Sequence, residues 1–273
     1  MTALTTAISP APVIDERQTF GDILHAEWTK LRTIRSTGWN LGTVLAGVIA
    51  VGMIVCAATA ANWGTMTAAD RAGFDPTFGS LKGLYVGELA VGVLGALVIT
   101  SEYATGMIRS TLAAMPGRRA VLAAKGVTMA AVVFVVSTLA SFVAFFCGQA
   151  ILAGKAGISI TDHGALRAVI GGGLFLTVLS LFALGIGAIF RHTAGAISAF
   201  VGAVLVLPAI VSPLPNPWGR DITKFLPSNA GQAIFDVHAN SGTLAPWTGF
   251  AVLCGWAVAA LGLAVWLINR RDA

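Results

Sequence analysis

Four stretches of this chain, residues 126–154, 168–190, 192–219 and 239–269, contain no Asp, Glu, Lys or Arg. A hydrophobic stretch of about 18 or more residues with almost no charge is long enough to cross the hydrocarbon core of a bilayer. Several of them in one chain exclude a soluble enzyme and leave a polytopic helical membrane protein. Composition agrees. Of 273 residues, 56% are hydrophobic and only 11% are charged, where a soluble domain carries roughly 25%.

The remaining composition removes other classes. Cys56, Cys147 and Cys254 lie far apart, each inside an apolar run. They read as small buried hydrophobes rather than a disulfide framework or a metal site. Residues 1–19 lack the apolar core of a signal peptide, and Pro10, Pro12, Asp15, Glu16 and Arg17 read as a mobile tail. The net charge of +5 is explained by membrane orientation before nucleic acid is considered.

Six spans are expected, at about 39–61, 82–101, 126–152, 168–190, 193–212 and 247–268. With both termini inside, the inner segments hold Arg17, Lys30, Arg32, Arg35, Arg109, Arg118, Arg119, Lys125, Arg191, Arg270 and Arg271, the majority of the 17 basic residues. Their closeness to span ends favours both termini cytoplasmic. Trp39, Trp63, Trp218, Trp247 and Trp266 fall near expected span ends, where an indole prefers the headgroup level. The resulting division is a flexible cytoplasmic tail at 1–19, an amphipathic interface helix at 20–36, a six-span domain at 37–268 and a short cytoplasmic tail at 269–273. No soluble segment reaches the 50 residues of a small domain, and no GxxxxGK[ST] phosphate loop is present. ATP-driven work would need a separate subunit.

Two inner segments carry most of the information. In Phe20 to Arg35, FGDILHAEWTKLRTIR, the residues Phe20, Ile23, Leu24, Trp28, Leu31 and Ile34 recur at helical spacing and form an apolar stripe. A helix of this kind ahead of a span lies flat at the membrane surface. Glu27 projects into the apolar arc and calls for a polar partner: Lys30 one turn on, another inner loop, or a different subunit. The other reading is a surface helix with Glu27 snorkelling to water. The second segment, residues 101–125, runs SEYATGMIRSTLAAMPGRRAVLAAK. Glu102 stands where the apolar run stops, Gly106 permits a sharp change of direction, and Pro116-Gly117 ends a short amphipathic stretch. A plain membrane-surface elbow with topology-setting arginines is the competing interpretation.

Glu88 is the one acid well inside an expected span, about six residues or roughly 9 Å from its outer edge. An intramembrane carboxylate is a functional candidate by default, and Tyr85, one turn away, is placed to share a hydrogen bond. The alternative is a carboxylate reaching the outer interface through a wet crevice. Gly83-x-x-x-Gly87, Gly171-Gly172-Gly173 and Gly185-x-Gly187 read as close helix packing, and Pro208 as a kink in the fifth span.

AEWTKLRTIRS before the first span, EYATGMIRSTLAAMPGRRAVLAAK after the second and FLPSNAGQAIF at 225–235 together resemble bacterial ABC-2 type transporter permeases, the last stretch in particular their actinobacterial members. The resemblance implies a half-transporter in the cell membrane that pairs with a second copy or a related permease. Separate ATPase subunits, holding ATP and Mg, would dock beneath it, and the chain itself would bind no cofactor. It places Glu27, Lys30 and Arg32 on the first ATPase contact, with Glu27 facing the partner. Glu102, Tyr103, Thr105, Gly106 and Arg109 would form a coupling helix between the second and third spans. Residues 225–235 would be a re-entrant or surface helix near the exit. Export of small amphiphilic, drug-like or lipid-like compounds is the implied activity, with membrane lipids as surroundings and no nucleic acid.

Two other classes compete. A secondary transporter or channel driven by an ion gradient would use Glu88 and Tyr85 on its pathway, but no inverted repeat or matched pair of broken helices is visible. A membrane-embedded enzyme would need intramembrane His or HExxH, whereas His25, His163, His192 and His238 lie in loops or at span ends. The chain is expected not to be an enzyme.

Overall fold

The computed structural model describes residues 19–108, 117–162, 164–215, 217–237 and 242–270. Among these residues the protein is helical, with no strand. Six helices are long and apolar enough to cross a membrane: Arg35–Asn62, Pro76–Ala104, Arg119–Leu152, Ala165–Phe190, Thr193–Val211 and Pro246–Arg270. We number the elements α1 (Phe20–Thr33), α2 (Arg35–Asn62), α3 (Ala68–Gly73), α4 (Pro76–Leu81), α5 (Leu84–Ala104), α6 (Arg118–Leu152), α7 (Ala165–Phe190), α8 (Thr193–Val201), α9 (Leu207–Val211), α10 (Trp218–Thr223), α11 (Pro227–Gln232) and α12 (Pro246–Arg270).

Helix α1 starts where the sequence closes a capping box. Thr19 Oγ1 accepts from the Asp22 backbone N–H, while Asp22 Oδ2 accepts from the Thr19 backbone at 2.8 Å. The Thr19 bonds also hold the Asp22 carboxyl below its ordinary range. The helix ends at Thr33, and Ile34 alone, in an extended conformation, forms the elbow into α2. The interface helix is thus shorter than the expected 20–36, because α2 begins one residue past the elbow.

The second span also begins earlier than expected. Asp75 accepts from the Thr77 and Phe78 backbones, and Pro76 occupies the first turn, a standard helix start. The chain then breaks at Lys82–Gly83 and continues as α5. Over Pro76–Ala104 Glu88 lies close to the middle of the sequence range, in the second turn of α5. The sequence placed it near the outer edge because Lys82 looked like the end of the apolar run.

Helix α7 forms the centre, packed by α5, α6, α8 and α12. Its glycines explain how four neighbours approach one helix. A Cβ on Gly185 would meet Ala260 of α12 at 2.8 Å, and one on Gly187 would meet Ile99 of α5 at 2.8 Å. Small residues at such contacts let backbones close in, so the expected packing role of these glycines holds. The outer faces of α2, α6 and α12 are left apolar and exposed, as lipid-facing surfaces are, with Ile54, Val135 and Val258 among them.

The fifth span carries its irregularity ahead of the proline. Between α8 and α9, residues Gly202–Val206 form one π turn, in which the Leu207 N–H reaches back to Gly202 O. Pro208 has no N–H and would press on the carbonyl four residues before it; widening the helix there relieves both problems. The helix α1, the last turn of α5, the first turns of α6 and the end of α12 gather at one end of the bundle, where Ile268 of α12 lines a small cavity with Tyr103 and Lys125.

Candidate functional site

The α1 end of the bundle is closed by four charges from three helices. On α1, Glu27 lies on the face turned toward the bundle, and its carboxylate is buried. Lys30 Nζ donates to Glu27 Oε1 at 2.8 Å and to Glu102 Oε1, near the end of α5, at 3.0 Å. Lys125, two turns into α6, donates to Glu27 Oε2 at 2.6 Å and to Glu102 Oε1 at 2.9 Å. Glu27, Glu102 and Lys125 are each 3% exposed or less, and the cluster is neutral overall. Burial lowers the Lys30 ammonium, but its bonds to the two carboxylates outweigh this and hold it above the ordinary lysine value.

This geometry answers the question Glu27 posed. Its partners are Lys30, as one sequence alternative had it, and Lys125, brought in from the segment after the second span; Glu102 shares both lysines. It does not face outward to a protein partner, contrary to the family-based expectation. A carboxylate in the apolar arc of a helix must be paired to be buried, and Lys125 supplies the pair within the chain. Sequence reading took Lys125 only as a topology-setting charge. A lysine set two turns into the helix, inward of Arg118 and Arg119 and at the start of the long charge-free run, was the signal.

The other expected contact residues divide. Arg32, Thr105 and Gly106 are exposed. Gly106 has φ +71°, so the chain does turn sharply there. Tyr103 is half-buried beneath the guanidinium of Arg191, 5.2 Å from its ring centre, and Arg191 itself caps α7 in a left-handed conformation, φ 56°. Of the residues expected to form the coupling helix, Arg109 lies outside the described residues, while Glu102 and Tyr103 belong to the last turn of α5.

A second polar network lies about 21 Å along the same span, the rise of the 14 residues from Glu102 to Glu88. Glu88 is 4% exposed and accepts from Ser228 Oγ of α11 at 2.8 Å. Gln232 Nε2 donates to Ser228 Oγ at 2.7 Å, and Tyr85 Oη donates to Gln232 Oε1 at 3.3 Å. Tyr85 therefore joins Glu88 through two residues of α11, not directly. The short helix α11 is itself inserted: Pro227, Ser228, Ala230 and Gly231 are buried, and the Phe225 carbonyl accepts from the indole of Trp256 at 2.9 Å. Trp256 is ten residues into α12, roughly 15 Å from its start. Residues 225–232 dip into the bundle as a re-entrant segment would. Beside them opens a cavity of about 320 Å³ lined by Tyr85, Arg220, Lys224, Gln232 and Asp236.

Sequence reasoning missed the polar brace at this far end. Gln149 of α6 donates to Pro76 O at 3.1 Å and Ser80 Oγ at 3.0 Å and accepts from the Ile158 backbone at 2.9 Å. Lys155 donates to Ala60 O at the last turn of α2 at 2.6 Å, a cation on a helix C-terminus.

No curated protein matches the chain. The family described as ABC-2 family transporter protein matches residues 23–208, about two thirds of the chain, from within α1 into the fifth span. That match takes in both the four-charge cluster and Glu88, and stops short of α11 and α12. With six apolar helices of spanning length and a charge cluster tying α1 to the second and third spans, the chain is a multi-pass membrane protein and belongs to the ABC-2 transporter family.

Proposed function

We propose that the chain is the membrane subunit of an ATP-driven exporter, moved by a separate ATPase docked at its α1 end. The family supports a permease of an ABC transporter; the ATPase, the direction and the cargo are our reading. The observation that carries it is the Glu27–Lys30–Glu102–Lys125 cluster. A force applied to a surface helix reaches the spans only through a stiff connection, and four mutually paired charges, three of them buried, supply one. In this scheme Glu27 and Glu102 transmit, while the exposed Arg32, Thr105 and Gly106, together with Arg109, meet the ATPase. That end of the bundle would then be cytoplasmic, with both termini inside, and ATP and Mg would be held by the ATPase. The permease contributes a differential fit to two shapes of its partner. A second permease subunit, identical or related, would complete the pathway, and amphiphilic, drug-like or lipid-like compounds suit its apolar surfaces.

The test is purification of the tagged chain in mild detergent, followed by transport in liposomes. An ATP-binding subunit is expected to co-purify, and Arg32→Glu or Arg109→Ala is expected to reduce ATP-dependent transport while leaving the folded chain intact. Solute movement that persists without any ATPase would overturn the reading. It would favour the gradient-driven alternative, for which the burial of Glu88 near the middle of its span is the supporting observation.

A further inference from the structure

We infer that the cavity between α10 and α11 is a binding site for the headgroup of one zwitterionic phospholipid, its phosphate at Arg220 and its ammonium at Asp236. The cavity holds about 320 Å³, at the small end of ligand pockets, which suits a headgroup and not a whole lipid. Three charged residues line it: Arg220, Lys224 and Asp236. Lys224 is already spent, since its Nζ lies 2.8 Å from the Asp221 carboxylate. That leaves a guanidinium and a carboxylate facing a common space. Among the described residues Arg220 has no hydrogen-bond or ion-pair partner, Asp236 included. Each is held in place. The Arg220 stem lies against Gly242, where an added Cβ would come within 3.0 Å of Nε. Asp236 is fixed through its backbone carbonyl, which accepts from Arg167 Nη2 at 2.9 Å. A plain anion in this space would face Asp236 and a plain cation would face Arg220, and like charges set close together are unfavourable. A ligand carrying both signs satisfies the two ends at once. A carboxylate accepts about four hydrogen bonds, so Asp236 can take an ammonium beside its other contacts.

The rest of the lining agrees. Phe78 and Tyr85, edge to face at 6.4 Å, wall the cavity. Phe78 already carries Lys82 Nζ over its ring at 5.4 Å, and an aromatic face of this kind attracts an ammonium. The half-buried Asn229 amide, also in the wall, has no hydrogen-bond partner among the described residues and can donate to a phosphate oxygen. Glu88 does not line the cavity. Leu214, Trp218, Ile222 and Phe225, all exposed and apolar, alternate along the chain with lining residues between Ser212 and Asn229. They give acyl chains a surface at the cavity's edge, which a small free zwitterion would not use, and an indole such as Trp218 prefers the headgroup level. The inference rests on this cavity and not on ATP coupling, so its failure would leave the proposed function standing.

Native mass spectrometry of the full chain, purified in mild detergent and delipidated, tests this with lipids that share dioleoyl chains. Dioleoylphosphatidylethanolamine carries both charges, dioleoylphosphatidylglycerol only the phosphate, and dioleoyl-trimethylammonium-propane only the cation. One phosphatidylethanolamine is expected to bind per chain, with each single-charge lipid at least about tenfold weaker. Arg220→Gln, at an exposed position, is expected to weaken phosphatidylethanolamine about tenfold. Asp236→Asn is expected to abolish the preference for phosphatidylethanolamine over phosphatidylglycerol, a change of selectivity that loosened packing alone would not give. Glycerophosphoethanolamine, the headgroup without chains, is expected to compete only at much higher concentration. Equal binding of the lipids, unchanged affinity in Arg220→Gln, or a preference that survives Asp236→Asn would each overturn the assignment. Displacement by glycerophosphoethanolamine at equal concentration would overturn the lipid as its source.

Discussion

Replacing Lys125 by methionine removes the cation that joins α1 to α6. The substitution keeps an unbranched side chain of similar length, so the main change is electrostatic. Glu27 and Glu102, both 3% exposed, would then share only Lys30, leaving one net negative charge buried. Removing one partner from a buried ion pair costs about 3–5 kcal/mol. The protein has a cheaper response than unfolding, because Glu27 reaches water if α1 lifts away. Each 1.4 kcal/mol is tenfold, so about 3 kcal/mol raises the lifted fraction roughly 150-fold. Ile23, 6% exposed on the docked face, reports this. An Ile23→Cys chain with Cys147 and Cys254 replaced by alanine should react slowly with a water-soluble maleimide. Adding Lys125→Met should accelerate labelling by two orders of magnitude. Adding Glu27→Gln as well restores charge balance and should bring the rate back to within about tenfold of the starting value, since the residues couple directly. Labelling unchanged by Lys125→Met, or a double variant that is faster still, would refute the idea that these charges hold α1 down.

Three further outcomes follow from the same coordinates. Lys30 holds its proton above the ordinary value of 10.5; stability from such a group is complete below the unfolded value and is lost only as pH rises through the folded one, so Ile23→Cys labelling, corrected for thiolate formation, should be flat between pH 7 and 9. Gly92→Ala would drive a methyl into the ring of Phe200 on α8, and overpacking of this kind costs about 1–3 kcal/mol, seen as a lower midpoint in thermal unfolding of the detergent-purified chain. Ser228→Ala removes the one hydroxyl donating to Glu88 and should loosen α11, raising proteolytic cleavage between residues 225 and 245, whereas Glu88→Gln, which still accepts from Ser228, should leave the segment protected.

Much of the fold was legible because the bilayer imposes a one-dimensional rule: charge-free length. Five of the six spans were found that way, and the second was read through Glu88. The errors fell where charge misled or where partners were distant. Lys82 marked a break inside a helical span and was taken for its end, although Asp75-Pro76 carried the true start signal. The need for a partner to Glu27 was readable from its place in the apolar arc, because burying a lone carboxylate is unfavourable wherever it occurs. Which residue met that need was not readable: Lys125 is 98 positions away, and no local periodicity links them. The same holds for Glu88, read either as partnered inside the bundle or as reaching the outer interface; its donor, Ser228, lies 140 positions on. Gln149 gave no signal at all, since a single amide within an apolar helix looks like tolerance until its three partners are seen.

The two buried acids of the second span bring these strands together. Glu102 ties one end of the span to α1, and Glu88 ties it to α11. Between them α5 contributes Val91, Leu94, Ala96 and Ile99 to the core against α7, and Gly95 lets it approach the Ser180 backbone of that helix. A helix so closely packed does not bend independently of its neighbours. It moves as a unit or not at all. In the proposed function a displacement of α1 would pass through Glu27, Lys125 and Glu102 to α5 and on through Glu88 to Ser228, ending at the cavity beside Tyr85 and Gln232. Cutting the route at Lys125 and cutting it at Ser228 should give the same transport defect by different structural effects, loosening α1 in one case and α11 in the other. A Lys125→Met, Ser228→Ala double variant no worse than either single one would identify a single path. Defects that multiply would show that the two ends act separately.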